Sequence, residues 1–281
     1  MAKFQCNVIS YALKRTVDIT VIIPTPTIPQ SMGMGMKEGE TPHHTPKAKY
    51  PVLYLLHGTG NNHATWTGYT KVELYAEEHQ IAVVNMSAEN LDYVTYEGRD
   101  DFFRFVSEEL PDFVTGIFPV SDKPEDTYIA GLSMGGYGAL THGLHFPERF
   151  CAVGALSAGI GLCPKNLETE GEGTTETGPS MGLTRPARGR KPEYNPYSLA
   201  RKIVAEGKKF PKMYCACGTA DGAYPANKEF AGYLKELGAD VTWDEIEGLA
   251  HEWRFWDKEV ERFLKWIPRT DVYAADGPRQ I

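Results

Sequence analysis

Three observations predict an α/β fold: an eight-stranded, mostly parallel sheet with helices on both faces and a small cap insertion. Short β-rich runs alternate with helical stretches along nearly the whole chain. With 281 residues, 42% of them apolar and 23% charged, the chain has material for one large core, and that length is ordinary for a single α/β sheet domain. Near the middle, a strand-like run passes through Gly131-Leu132-Ser133-Met134-Gly135 directly into a small-residue helix, a strand–turn–helix join that this class uses repeatedly.

In chain order, residues 4–12 and 17–23 are two strands joined by a polar turn, an antiparallel start to the sheet. Residues 50–57, 81–86, 127–131, 152–157, 213–218 and 241–246 are the remaining strands. Helical patterns fill the gaps at 71–79, 101–118, 133–146, 196–205, 226–237 and 252–266. No internal repeat is present, and residues 1–281 are expected to form a single domain.

Two stretches interrupt this alternation. Residues 24–47 are rich in Pro, Gly, Met and Thr and carry Met32-Gly33-Met34-Gly35-Met36 followed by His43-His44. Soft Met and His ligands could hold copper, but nothing in the sequence fixes a geometry, and the reading adopted is a loop excursion between strands with no metal. Residues 160–193 are rich in Gly, Thr and Glu and then basic (Arg185, Arg188, Arg190, Lys191), and they stand between a strand and a helix as a cap would. The stretch 268–281 lacks periodicity and reads as a C-terminal surface extension.

The formal charge of −8 argues against nucleic acid and anionic membrane as partners, since both require basic patches. No run is long enough to span a bilayer, and the N-terminus enters strand-like sequence without the apolar segment of a signal peptide. Five cysteines (Cys6, Cys151, Cys163, Cys215, Cys217) without framework spacing fit reduced thiols and a cytoplasmic location. The pair Cys215 and Cys217 lies in an apolar run and reads as buried thiols, not as a redox or metal pair.

The chemistry is carried by residues 127–140. G-x-S-x-G arises by chance in roughly one chain in ten of this composition, so the motif alone decides little. Its setting between an apolar strand and a small-residue helix is what a nucleophile elbow requires: the serine occupies a strained turn, and its flanking positions must be small. That turn lifts Oγ of Ser133 clear of the sheet at a helix N-terminus, where negative charge is favoured. The setting predicts an α/β-hydrolase with Ser133 as nucleophile.

Its partners follow in the order acid, then histidine. Asp221, in Gly218-Thr219-Ala220-Asp221-Gly222, comes just past the C-terminal end of an apolar strand, on the rim the elbow occupies. The rival Asp244 falls within the strand at 241–246, a poor place for such an acid. Of the eight histidines only His251 follows Asp221, in the loop before the last helix. Oxyanion donors are expected at the N–H of Met134, after the nucleophile, and of Thr59, where Gly58 permits a close turn. His57 and His63 read as braces of that loop.

Four segments carry a family resemblance: 55–66 (Leu-Leu-His-Gly, then Asn-His and Trp66), 108–111 (Glu-Glu-Leu-Pro), 130–138 (Ala-Gly-Leu-Ser-Met-Gly-Gly-Tyr-Gly) and 217–221 (Cys-Gly-Thr-x-Asp). They resemble the tributyrin-esterase branch of the esterase D and carbohydrate-esterase group, which includes feruloyl and acetyl-xylan esterases. The resemblance implies a serine esterase for small-molecule or carbohydrate esters, without cofactor, and often a homo-oligomer. Trp66, Tyr93, Tyr96 and Trp253 are the candidate substrate-binding rings, since flat rings with polar edges suit sugars or hydroxycinnamoyl groups; packing the core is the alternative role of each. A formylthioester hydrolase is the nearest rival, although the cysteine such relatives often carry is missing between Gly58 and Trp66. An acyltransferase and a non-catalytic binding protein are the others, and the second would normally have lost a triad member.

Overall fold

The computed structural model describes residues 1–36, 38–96, 100–165, 191–279 and 281. Its strands are β1 (Ala2–Ser10), β2 (Arg15–Ile23), β3 (Val52–Leu56), β4 (Ala82–Met86), β5 (Thr127–Leu132), β6 (Ala152–Leu156), β7 (Lys212–Gly218) and β8 (Val241–Ile246). The helices are α1 (Ile28–Ser31), α2 (Thr65–Tyr69), α3 (Val72–His79), α4 (Phe102–Arg104), α5 (Leu110–Ile117), α6 (Met134–His145), α7 (Pro196–Ala205), α8 (Tyr224–Glu236) and α9 (Trp253–Trp266).

All eight strands form one sheet in the order β1-β2-β4-β3-β5-β6-β7-β8. β2 pairs antiparallel with β1 and β4, and every other pairing is parallel. The central strands β3 to β6 are apolar at almost every position because helices cover both faces. Leu53 and Leu55 of β3 join the cluster under α3 and α9, while Val52, Tyr54 and Leu56 join the one under α5 to α8. From β3 the chain moves outward to β4 and then returns to place β5 on the other side of β3. Such a reversal opens a crevice at the carboxyl ends of the two parallel strands, where ligands of open α/β sheets bind.

The helix expected over 101–118 is continuous only by way of a π-helical turn at Phe105–Glu109. Pro111 supplies no N–H, and the Leu110 N–H bonds five residues back to Phe105 O. The widened turn carries the buried Glu109 carboxylate to the β1–β2 turn, where it accepts from Ser10 Oγ and the N–H groups of Tyr11 and Ala12.

The excursion at 24–47 contains α1, closed by a capping box between Thr27 and Gln30. The C-terminal stretch does not project from the surface; it docks on the chain's own body. Tyr273 is buried and stacks on Tyr50 with centroids 4.7 Å apart, and Arg279 donates to Thr25 O. A cavity of about 840 Å³ lies between excursion and tail. The cap expected at 160–193 falls mostly on residues 166–190, outside the described residues.

Candidate active site

Because β3, β5, β6, β7 and β8 are parallel, the segments following them gather on one rim. Ser133 follows β5 with φ 53° and ψ −114°, a region that costs a non-glycine residue energy and persists only where packing over-determines it. The over-determination is visible at the flanking glycines. A Cβ on Gly131 would stand 2.4 Å from the Gly135 carbonyl, and one on Gly135 would stand 2.3 Å from Leu56 O. The elbow is thus pressed against the end of β3, and only hydrogen fits at those two positions. Ser133 N–H donates to Leu156 O, and its carbonyl accepts from Gly159 N–H, so the turn is also tied to the end of β6. Met134 is the first residue of α6, and its N–H is among those with no partner inside the helix.

Asp221 and His251 meet as the sequence predicts. His251 Nδ1 donates to Asp221 Oδ2 at 2.8 Å, and the Ala223 N–H donates to Oδ1 at 2.8 Å. Burial works to raise the Asp221 carboxyl. Hydrogen bonds from His251, the Ala223 N–H and Ser157 outweigh it and hold the group below the usual carboxylate range. The acid is therefore anionic at neutral pH, with the tautomer bearing hydrogen on Nδ1 favoured in His251. No hydrogen bond joins Ser133 to His251 among the described residues. Asp244 is occupied elsewhere, accepting from Tyr214 Oη and Arg262 Nη1.

The loop after β3 is braced from below. His57 is buried, accepts from Ala88 N–H at Nε2 and donates from Nδ1 to Gly58 O. Burial pushes its pKa down to about 4, so it is a neutral strut, not a proton carrier. His63 is likewise tied down, its ring Nδ1 to Thr20 Oγ1 and its backbone N–H donating to Ser87 Oγ.

Two of the four rings expected to meet substrate do not reach it. Trp66 is wholly buried and donates from Nε1 to Leu56 O, and Tyr93 is wholly buried and donates from Oη to His57 O. Both ring polar groups found backbone partners beneath the loop, and their bulk fills the core. Tyr96 is half-buried and bonds Asp92. Trp253 is half-buried, stacks on Tyr69 at 5.1 Å and meets Trp256 edge-on at 5.2 Å. Trp256 in turn stands edge-on to His251 at 4.9 Å. Sequence reasoning missed Trp256, though its spacing of three from Trp253 puts both on one face of α9. Cys215 and Cys217 are buried and free, and burial pushes both thiols up to about 12, which leaves them inert.

A strained serine between a parallel strand and a helix, at the switch point of an eight-stranded sheet, defines a serine hydrolase of the α/β-hydrolase fold. Residues 30–265 match the family model described as "Putative esterase", and the chain belongs to that family. It is 30% identical over 276 residues to an acetyl esterase of Caldicellulosiruptor saccharolyticus, covering 96% of this chain and 99% of the relative. Among solved structures it is similar to FphF, a fluorophosphonate-binding serine hydrolase of Staphylococcus aureus. Identity there is 29%, the match covers 95% of this chain and 98% of that one, and the TM-score is 0.75. The S-formylglutathione hydrolase FrmB of the same organism matches with 28% identity, 95% and 98% coverage and a TM-score of 0.74.

Proposed function

We propose that Ser133, His251 and Asp221 act as nucleophile, base and orienting acid in the hydrolysis of short-chain carboxylic esters, acetylated carbohydrates among them. The observation that carries this reading is the 2.8 Å bond from His251 Nδ1 to a buried, anionic Asp221, on the rim where Ser133 is held in a strained turn. In this scheme the Ser133 Oγ–H proton passes to His251 Nε2 as Oγ bonds to the ester carbonyl carbon. The Ser133–His251 contact tightens only in the substrate complex, as such bonds commonly do. The N–H groups of Thr59 and Met134 receive the oxyanion. The tetrahedral intermediate collapses, the alcohol leaves with the proton from His251, and water repeats the sequence on the acyl-enzyme. No step requires a cofactor. Turnover of p-nitrophenyl acetate by the wild type, abolished in Ser133→Ala, tests the assignment.

Thioester hydrolysis is the second reading, favoured by the near full-length likeness to the S-formylglutathione hydrolase. Comparison of kcat/KM for S-formylglutathione and p-nitrophenyl acetate separates the two. Assembly into a homo-oligomer, implied by the family resemblance, is tested by sedimentation velocity. Among the described residues no helix is long and apolar enough to cross a membrane.

A further inference from the structure

We infer that Asn227, a buried residue of α8 outside the proposed triad, is a positioning residue that fixes the Asp221 turn to the strand end carrying the nucleophile; this rests on the triad reading above. Its side chain spans two segments. Oδ1 accepts from Ala158 N–H, and Nδ2 donates both to Ala158 O and to Ala223 O, each at 2.9 Å. One N–H donor and two carbonyl acceptors settle which way the amide points. Its own backbone N–H bonds Ala223 O as α8 begins, which places the side chain beneath the acid turn.

Each end of this bridge leads to a triad member by one further bond. On one side Ala223 N–H donates to Asp221 Oδ1 at 2.8 Å, and Tyr224 N–H donates to Asp221 O at 3.0 Å. On the other, Ala158 lies between Ser157 and Gly159, and Gly159 N–H donates to Ser133 O at 3.0 Å. Ser157 is wholly buried with φ 47°, a left-handed conformation that a serine holds only under constraint from its neighbours. The two bonds from Asn227 to Ala158 add to the bond from Ser157 N–H to Ala216 O in fixing this turn beside Asp221, where the Ser157 hydroxyl helps to hold the carboxyl anionic. The acid turn and the elbow belong to crossovers far apart in sequence. Together with the Ser157 hydroxyl, this amide links the side of the site that holds Asp221 to the side that holds Ser133. Loss of the bridge is expected to let the Asp221–His251 pair drift from Ser133, and a displacement near 1 Å costs about a hundredfold in rate.

The test compares Asn227→Leu, which keeps the volume and removes every bond, with Asn227→Asp, which keeps the acceptor for Ala158 N–H and sets oxygen against both carbonyls. Active sites are titrated with a fluorophosphonate probe, and turnover is expressed per titrated site, so that lost fold is not read as lost rate. The low-field proton resonance of His251 Nδ1 is recorded in parallel. A tenfold to hundredfold fall in kcat per titrated site is expected, with KM within a few-fold of wild type and the resonance weakened or shifted. Where Asn227→Leu yields no folded protein, Asn227→Asp decides. Wild-type turnover per site and an unchanged resonance, with only a lowered Tm, would overturn the inference. Peptide mapping of the probe separates this from the triad reading: label on Ser133 upholds that reading whatever the Asn227 variants do.

Discussion

Gly58 stands directly against Ser133: a Cβ at Gly58 would lie 3.3 Å from the Ser133 Cβ and 2.4 Å from Leu132 Cδ1. The loop that carries Thr59 is therefore in van der Waals contact with the nucleophile, where an oxyanion donor must be. A methyl group there pushes the loop and the elbow apart while leaving the sheet intact. Gly58→Ala should lower kcat by about 10²–10³, the usual cost of one lost oxyanion donor, with an unchanged circular dichroism spectrum. Wild-type kcat in that variant would place the second donor elsewhere.

The triad assignment separates two aspartates by location. Ser133→Ala should lose on the order of 10⁶ in kcat. Asp221→Asn should lose on the order of 10⁴ by favouring the wrong imidazole tautomer. Asp244 is engaged with Tyr214 and Arg262, so Asp244→Asn should leave kcat within a few-fold and lower Tm instead. A dead Asp244→Asn with an active Asp221→Asn would reverse the assignment.

The contrast between these aspartates was legible in sequence because strand ends on a parallel sheet share a rim, and mid-strand positions do not. Ser133 was located by its motif between a strand and a helix and His251 as the one histidine that follows the acid, and all eight strands lay within two residues of those observed at both ends. What could not be read was which way rings turn. Trp66 and Tyr93 lie in rim-forming segments, yet each side chain points down to a backbone carbonyl beneath the loop. Periodicity gives no direction for a side chain in a loop, as at Tyr93, or in a helix as short as α2, which holds Trp66. Asn227 was equally hidden, because its partners Ala158 and Ala223 contribute only backbone atoms, and backbone hydrogen bonding leaves no trace in residue type. The C-terminal tail escaped because its anchors, the Tyr273 ring and Arg279 among them, are isolated residues in an otherwise aperiodic stretch.

A pH effect on stability should arise away from the active site. Tyr214 Oη lies 2.9 Å from Asp244 Oδ2 and 2.8 Å from Glu259 Oε2, and its one proton can serve only one of them. Below about pH 7 the wholly buried Glu259 carries the other proton. Burial pushes its pKa up to about 7, Tyr214 opposing, the Asp244 charge adding and Arg262 opposing. An acid with a raised folded pKa contributes stability fully below its unfolded value, about 4.3, and loses it as pH rises to about 7. Glu259→Gln, neutral at every pH, should match the wild type near pH 4.5. At pH 8 it should be the more stable by on the order of 1–3 kcal/mol. Urea melts at both pH values measure this, and a constant difference between them would exclude a neutral Glu259.

Activity should survive EDTA and be lost on treatment with a fluorophosphonate or phenylmethylsulfonyl fluoride. The proposed chemistry uses only Ser133, His251, Asp221 and two backbone N–H groups. Ester hydrolysis that vanishes with EDTA and returns with a divalent cation would contradict it.

Short acyl groups should be preferred over long ones. A lipase presents a broad apolar face and an apolar lid, whereas residues 160–193, between β6 and α7, are dominated by Gly, Thr, Glu, Pro and Arg. That composition cannot offer such a face. The aromatic-acyl version of the preference rested on four rings, and burial of Trp66 and Tyr93 leaves Tyr96 and Trp253 to carry it. Trp253 is itself packed between Tyr69, Trp66 and Trp256, so it has one edge at most to give to a ligand. The expected order of kcat/KM is therefore p-nitrophenyl acetate or butyrate first, methyl ferulate well behind and palmitate last. Palmitate at the head of the series would refute the short-acyl reading. Ferulate at the head would mean that Trp253 or residues 160–193 build an aromatic slot, and Trp253→Ala would then remove ferulate turnover while sparing acetate.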